Sequence, residues 1–388
     1  FETEPQPGLN GRRIAQPRGK GLGGSSSING LLYVRGQRED YDGWRDLGNR
    51  GWGYDDVLPM FKRSEAQQRG ANPWHGVDGP MPVTDLPEKH PISEAFIAAG
   101  VKAGIPYNPD FNGERQEGIG PFQATAKRGL RYSTAKAFLR RALKRPNLDL
   151  LMRAQVTKIL FDGVRASGVA FVHNGQPTKI SARREIILSA GAIQSPHILQ
   201  LSGIGPGGLL RQHGIPVVKD LPGVGENLQD HVQARFIFET KKKITLNDDM
   251  ANPLPQIRMG LNYMLTRKGP LGWWAGIAGA FIKTRPDLDR PDVQFHLYPF
   301  STDRKDKPVL HPFSAFTLTV CQRSARRRSS RRRHADGEKS GGRGAAGQHD
   351  QIGEGAGGFH AQRCGTVGLP SRQGDVGLSP GRNVPDGA

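Results

Sequence analysis

Glycine and serine crowd into residues 19–30, GKGLGGSSSING, which run on into the apolar stretch Ile28–Val34. Gly23, Gly24 and Gly30 permit positive φ and close backbone approach, while Ser25, Asn29 and free N–H groups can hold an anion. A second candidate is the Ala190–Gly191 turn, which follows the apolar run Glu185–Ser189 and opens GAIQSPHILQLSGIG. That order predicts a buried strand, a small-residue turn and a short helix, half of a dinucleotide-binding unit. The histidines are weaker candidates. Asp230 and His231 could form an acid/base pair, but neighbours on an extended segment point opposite ways, so His231 reads as structural, at a domain crossover. His75 in WHGVDGP reads as a loop residue, and His197 in SPHILQL as a helix residue that packs or meets solvent. Among residues 1–322 no serine has the spacing of a nucleophile elbow. Cys321 and Cys364 are too far apart in sequence for a metal-ligand motif and give no disulfide framework.

The elements that would position these residues alternate in type. Tyr54–Ser64, Ser93–Ala103 and Ser133–Lys144 carry apolar residues at helical spacing, with Ser93 and Ser133 as N-cap candidates. Residues 148–190 differ: three runs of strand character are parted by Asp162-Gly163 and Asn174-Gly175 turn signals. They predict an antiparallel meander feeding the strand Glu185–Ser189. Mixed strand and helix patterns continue to about Val320.

The chain of 388 residues is long enough for two domains. No apolar run approaches the roughly 20 residues needed to span a bilayer. The net charge of +19 raises the question of nucleic acid. Residues 323–388 hold 12 Lys/Arg against 6 Asp/Glu, so most of the excess is spread over the body, as on a solvated basic surface. The same 66 residues contain 15 glycines and only seven Val, Ile, Leu or Phe, too few to offset the entropy of ordering, so a disordered tail is expected there.

Gly19–Asp42 resembles the first signature of the glucose–methanol–choline oxidoreductases, and Gly191–Gly205 the second. FETEPQP at the start, HGVDGP at 75–80, STAKAFL at 133–139 and LPGVGENLQDH at 221–231 extend the likeness from residue 1 to about 322. It is closest to the bacterial choline and aliphatic alcohol dehydrogenase branch. The resemblance implies an FAD/NAD(P)-binding, Rossmann-like α/β domain lacking its first βαβ unit (1–45 and 148–235). It also implies an α+β substrate domain with an antiparallel sheet (46–147 and 236–322), followed by an aberrant tail (323–388). It places Gly23, Gly24 and Ser25 along the FAD pyrophosphate and flavin edge, and Asn29 and Gly30 at the isoalloxazine ring. Val156 is set at the adenine side, where an ordinary core valine is the alternative, and Ala190 and Gly191 at the second turn against the cofactor. Ile28 stands where some members link FAD through histidine, so noncovalent FAD is implied. The activity implied is hydride transfer from the CH–OH group of a small alcohol to flavin, with no residue that identifies the electron acceptor.

Two parts of the family pattern are not found. No G-x-G-x-x-G opens a helix, and GVGENL at 223–228 lacks the third glycine. The H-P-x-G-T-C-x-M-G motif, whose histidine takes the alcohol proton, is also missing, so no catalytic residue is assigned. Codons compatible with Leu369–Ala388, read one base later, permit FLRDKATSVFHPVGTCPMG, with the histidine beneath Ser379. The expectation is a chain lacking its start and frameshifted near Cys321–Arg323, with weak flavin affinity and no activity as written. A same-fold lyase of the hydroxynitrile type and a basic nucleic-acid binder are the competing readings. The second would need stacking aromatics, and the tail offers only Phe359. A reducing, cytoplasmic setting is expected, with attachment to a membrane periphery as the alternative.

Overall fold

The computed structural model describes residues 1–274, 276–303 and 309–322. Eight strands build its two larger sheets: β1 (Gly118–Pro121), β2 (Ala154–Asp162), β3 (Arg165–His173), β4 (Gln176–Ser181), β5 (Val232–Glu239), β6 (Ala278–Ile282), β7 (Val293–Tyr298) and β8 (Ala315–Gln322). The helices that matter for the site are α1 (Arg38–Asp46), α2 (Tyr54–Ser64), α3 (Pro91–Lys102), α4 (Gly191–Leu201), α5 (Gly207–Gln212) and α6 (Pro253–Thr266).

The meander forms as its turn residues dictate. β2, β3 and β4 pair antiparallel in that order, and the reversals fall at Gly163 (φ +56°) and at Asn174-Gly175 (φ +51° and +81°). Two positive φ values in succession are the geometry of a type I′ turn, which matches strand twist. The register slips between Val156 and Lys158, a bulge that leaves Thr157 unpaired in the ladder.

The second sheet is antiparallel throughout, in the order β5-β8-β7-β6-β1. β5 crosses position 235, where the two domains are expected to divide. Side chains alternate across the sheet, and its two faces differ sharply. Ala278, Leu297, Phe316, Leu318 and Phe238 pack with Ile92, Phe96 and Ile97 of α3. Each large apolar side chain buried there contributes about 1.5–3 kcal/mol. The opposite face carries Arg235, Gln294, His296, Tyr298 and Thr319.

Several local expectations change. The Ser93 cap is not observed: α3 begins two residues earlier with Pro91 at its first position. The Ile92 N–H donates to His90 Nδ1 (3.2 Å), and Ser93 is buried inside the helix. Pro tolerates that first position because its missing N–H would have no helical partner. Ser133 does hold the N-cap position, because the helical stretch starts at Thr134 and the Ala137 N–H donates to Ser133 O (3.0 Å), but no side-chain cap bond of Ser133 is found among the described residues. The stretch is π-helical over Ala135–Leu139. Helix α1, unread in the sequence, is fixed by Asp40, whose carboxylate accepts from the Gln37 N–H (3.0 Å).

Glu185–Ser189 is not a buried strand. It has no regular structure, and Ile187 is 80% exposed. Apolar composition makes a strand only where a neighbour completes its hydrogen bonds, and among the described residues no strand lies beside it. Cys321 is a buried free thiol on β8, and Cys364 and the expected tail, 323–388, lie outside the described residues.

Candidate functional site

The glycine- and serine-rich loop is tied to the segment around Thr134. Gly23 (φ +90°) and Gly24 (φ +52°) take left-handed conformations that bring the loop into a 3₁₀ turn, Gly24–Ser27. The Ser26 hydroxyl donates to the Gly23 carbonyl and accepts from the Thr134 N–H (3.0 Å), while the Thr134 hydroxyl also donates to Gly23 O (3.2 Å). Arg131 Nη1 donates to Ser26 O (3.2 Å) and to Asn29 Oδ1 (2.8 Å). Asn29 Oδ1 in turn accepts from the Leu31 N–H (3.2 Å), which supports the left-handed φ of +70° at Leu31. The first-signature loop and the STAKAFL segment thus form one unit, with Ser25, Asn29 and Gly30 exposed on it.

Downstream, the same strand of chain crosses onto the polar side of the five-stranded sheet. Leu32 and Val34 pack against Phe111, Phe122 and Phe281, and the Phe122 ring meets the His296 ring edge-on at 5.4 Å. Burial, with a further contribution from His231, pushes the His296 pKa down to about 4, so its imidazole is neutral at pH 7. Gln294 Nε2 lies 2.6 Å from His296 Nε2. An amide NH₂ only donates, so Nε2 is the acceptor and Nδ1 carries the proton. The face therefore presents a neutral histidine beside Tyr298, whose phenol is held above its usual range by burial.

The segment is locked at its far end by a buried ionic network that no local spacing in the sequence announces. Arg35 Nη2 meets Glu65 Oε1 (2.8 Å), and Arg35 Nη1 donates to Trp74 O (2.8 Å). Asn112 uses its amide as a false strand, accepting from the Arg35 N–H (2.7 Å) and donating to Tyr33 O (2.9 Å). His75, read from sequence as a loop residue, does sit in a loop but is only 1% exposed, because both its nitrogens are engaged by carboxylates. Nδ1 lies 2.7 Å from Glu65 Oε1, and Nε2 lies 2.8 Å from Asp110 Oδ2. Burial lowers its pKa, but the hydrogen bonds and charges of Asp110 and Glu65 outweigh that and push it up to about 9. Both acids are driven up by burial, yet His75 and their other donors hold them below the usual carboxylate range.

The second cluster stands apart from the first. α4 opens at Gly191 (φ +91°) after Ala190, with no side-chain cap and no acidic residue in its first turn. Its C-terminal end is clipped to the meander, where the Ile159 N–H donates to Ser202 Oγ (2.8 Å). Val156 is half-buried and pairs with Phe171 beside the bulge, so it is neither a fully buried core valine nor freely exposed. His197 faces solvent, and Asp230 and His231 are both exposed, with the Asp230 carboxylate accepting from its neighbour's backbone N–H. Among the described residues no hydrogen bond joins the Gly23–Gly30 loop to Gly191.

The glycine expectation needs correcting. Gly203, Gly205 and Gly208 do fit G-x-G-x-x-G and lead into α5. They do not make a phosphate site, because the Asp220 carboxylate accepts from the Gly207 N–H (2.9 Å) and occupies the place an anion would take. Gly19, Gly21 and Gly24 also fit the letters, yet open only the 3₁₀ turn. The fit to FAD is accordingly partial. Space beside Gly24, Gly30 and Gly191, where a Cβ would meet nothing within 4 Å, suits close approach of a planar ring or phosphate. The uncapped N–H groups of α4 suit negative charge.

Comparison with known proteins bears on the family and the fold. The GMC oxidoreductase profile matches residues 6–233. Oxygen-dependent choline dehydrogenase of Brucella anthropi is 43% identical over 317 residues, 81% of this chain and 57% of that protein. Its counterpart in Burkholderia pseudomallei is 44% identical over 320 residues, 81% of this chain and 56% of that protein. The chain thus spans little more than half the length of these relatives. Among solved structures, pyridoxine 4-oxidase from Mesorbium loti superposes with a TM-score of 0.71 at 28% identity, covering 83% of this chain and 60% of its own. An FAD-dependent oxidoreductase from Chaetomium thermophilum shares the fold, with a TM-score of 0.73 at 24% identity, over 82% and 64%. With two signature segments, an antiparallel sheet behind the first and a profile match across 6–233, the chain belongs to the GMC oxidoreductase family.

Proposed function

We propose that this chain forms the flavin-facing part of an FAD-dependent oxidoreductase that oxidises the CH–OH group of a small alcohol, choline or an aliphatic alcohol. The observation that carries the reading is continuity. The anchored loop with left-handed Gly23 and Gly24 runs directly onto a sheet face that bears a neutral histidine and a tyrosine. Bound FAD would supply the hydride acceptor. Gly23, Gly24 and Ser25 would lie along the cofactor, and Asn29 and Gly30 would offer it their backbone. Ala190 and Gly191 would hold negative charge at the start of α4, with Val156 near the adenine. His296, whose Nε2 is taken by Gln294, would donate its Nδ1 proton to a substrate oxygen and hold it in line. Ile28 provides no nucleophile, so FAD would be noncovalent.

With no strand–G-x-G-x-x-G–helix unit and no H-P-x-G-T-C-x-M-G motif in its sequence, the 388-residue chain is proposed to bind flavin weakly and to turn over no alcohol. Removal of a general base typically costs about 10²–10⁴ in rate. The test is titration of the chain with FAD, followed by flavin fluorescence. Weak saturable binding that Gly24→Val abolishes supports the reading. Tight binding, or binding that Gly24→Val leaves intact, contradicts it. No described helix is long and apolar enough to cross a membrane, and a cytoplasmic protein attached at a membrane periphery is the setting we propose.

A further inference from the structure

Helix α6 buries one face and leaves an apolar stripe bare on the other. Met259 is buried, and Tyr263, on the same side, donates its hydroxyl hydrogen bond to Gly129 O (3.0 Å). On the far side Leu254 (77% exposed), Ile257, Leu261, Met264 (70%) and Leu265 (83%) stand open to solvent. Their spacing of i, i+3, i+7, i+10 and i+11 collects them into one stripe about 100° wide and roughly 17 Å long at 1.5 Å per residue. Leu271 and Met250, also exposed, flank its two ends in sequence. A stripe that points away from the protein does no work in the core, and contiguous exposed apolar surface marks an interaction site.

The charges around the stripe select its partner. Between Met250 and Pro286 there is no aspartate or glutamate, while Arg258, Arg267 and Lys268 are exposed on or just beyond the helix. A cationic rim on an apolar stripe is the pattern of a helix that lies in the plane of an anionic lipid surface. A second copy packed across a two-fold axis would set this rim against its own like charge.

We infer that α6 docks this protein onto membranes carrying anionic phospholipid, its leucine stripe entering the headgroup boundary and its basic rim meeting the phosphates. This names the element behind the peripheral attachment proposed above, but it rests on surface geometry and is independent of the flavin reading. The full chain is sedimented with vesicles of phosphatidylcholine and phosphatidylglycerol, about three to one, and with phosphatidylcholine alone. The mixed vesicles should capture the protein, and added salt should weaken capture. Leu261→Gln with Leu265→Gln, both at exposed sites, should keep the native circular dichroism spectrum and bind roughly tenfold or more weakly. Arg258→Gln with Lys268→Gln should lose most of the preference for phosphatidylglycerol. Absence of capture would overturn the inference. So would capture that the leucine variant leaves unchanged, since the arginines of 323–333 would then be the binding element. A dimer in sedimentation velocity that the leucine variant converts to monomer would assign the stripe to a second copy instead. Flavin content enters none of these readouts, so failure here leaves the proposed oxidoreductase function standing.

Discussion

At the scale of single residues, the Arg35–Glu65–His75–Asp110 network makes the sharpest demands. His75 titrates near 9 in the folded chain against about 6.5 in the unfolded one. Its stabilisation is therefore fully present below about pH 6.5 and is lost as pH rises through about 9, a change on the order of 3 kcal/mol. Urea unfolding of the wild type should show that decline between neutral pH and pH 10. His75→Gln should be less stable at neutral pH by a similar amount and lack the decline, and a wild-type profile as flat as the variant's would remove His75 from this role. Glu65→Gln leaves the Arg35 and His75 cations short of a buried counter-charge and should cost about 3–5 kcal/mol in the same assay. The loop has its own anchor. Ser26→Ala removes one donor to Gly23 O and the acceptor for Thr134 N–H, and should cost about 1–3 kcal/mol and speed amide exchange across residues 19–30. Unchanged exchange there would mean that Arg131 and the Thr134 hydroxyl suffice to hold the loop.

At the scale of elements, what was legible in the sequence is what depends on neighbours in the chain. Helix α2 begins at Tyr54 and ends at Ser64 as its periodicity predicts, and the meander turns at Asp162-Gly163 and Asn174-Gly175 because Gly163, Asn174 and Gly175 adopt positive φ. The failures depend on partners distant in sequence. Glu185–Ser189 has the composition of a buried strand but no adjacent strand among the described residues to complete it. Ser93 has the side chain of a cap, yet His90 and Pro91 start the helix first. His75 gave no signal, since its partners stand 10 and 35 residues away. His296 had a faint one: VQFHLY alternates polar and apolar residues, and that period-two pattern marks a sheet with one polar face. Amide exchange should reflect this hierarchy, with slow exchange in β7 and β8 and fast exchange across 185–189. Protection at Ile187 comparable to Leu297 would show that a strand forms there after all.

At the scale of the whole molecule, two sheets share one purpose in this reading. The meander and α4 would carry the adenine and phosphate end of a dinucleotide, and the five-stranded sheet would carry the substrate on the face that bears His296. The proposed division, 1–45 with 148–235 and 46–147 with 236–322, follows that logic, although Leu31 and Leu32 pack against Ala124 and Trp274 on the substrate side. Family membership fixes the fold, whereas the chemistry and the substrate depend on side chains at one face. The decisive measurement joins this chain to a strand–G-x-G-x-x-G–helix unit at its start and to the H-P-V-G-T-C-P-M-G reading at its end. An alcohol is then added without oxygen while the absorbance band of oxidised flavin is followed. The account predicts a yellow protein whose flavin choline or an aliphatic alcohol bleaches, and whose Gly24→Val variant retains no FAD. A joined protein that binds no flavin, or one whose flavin stays oxidised as in a lyase, would contradict it.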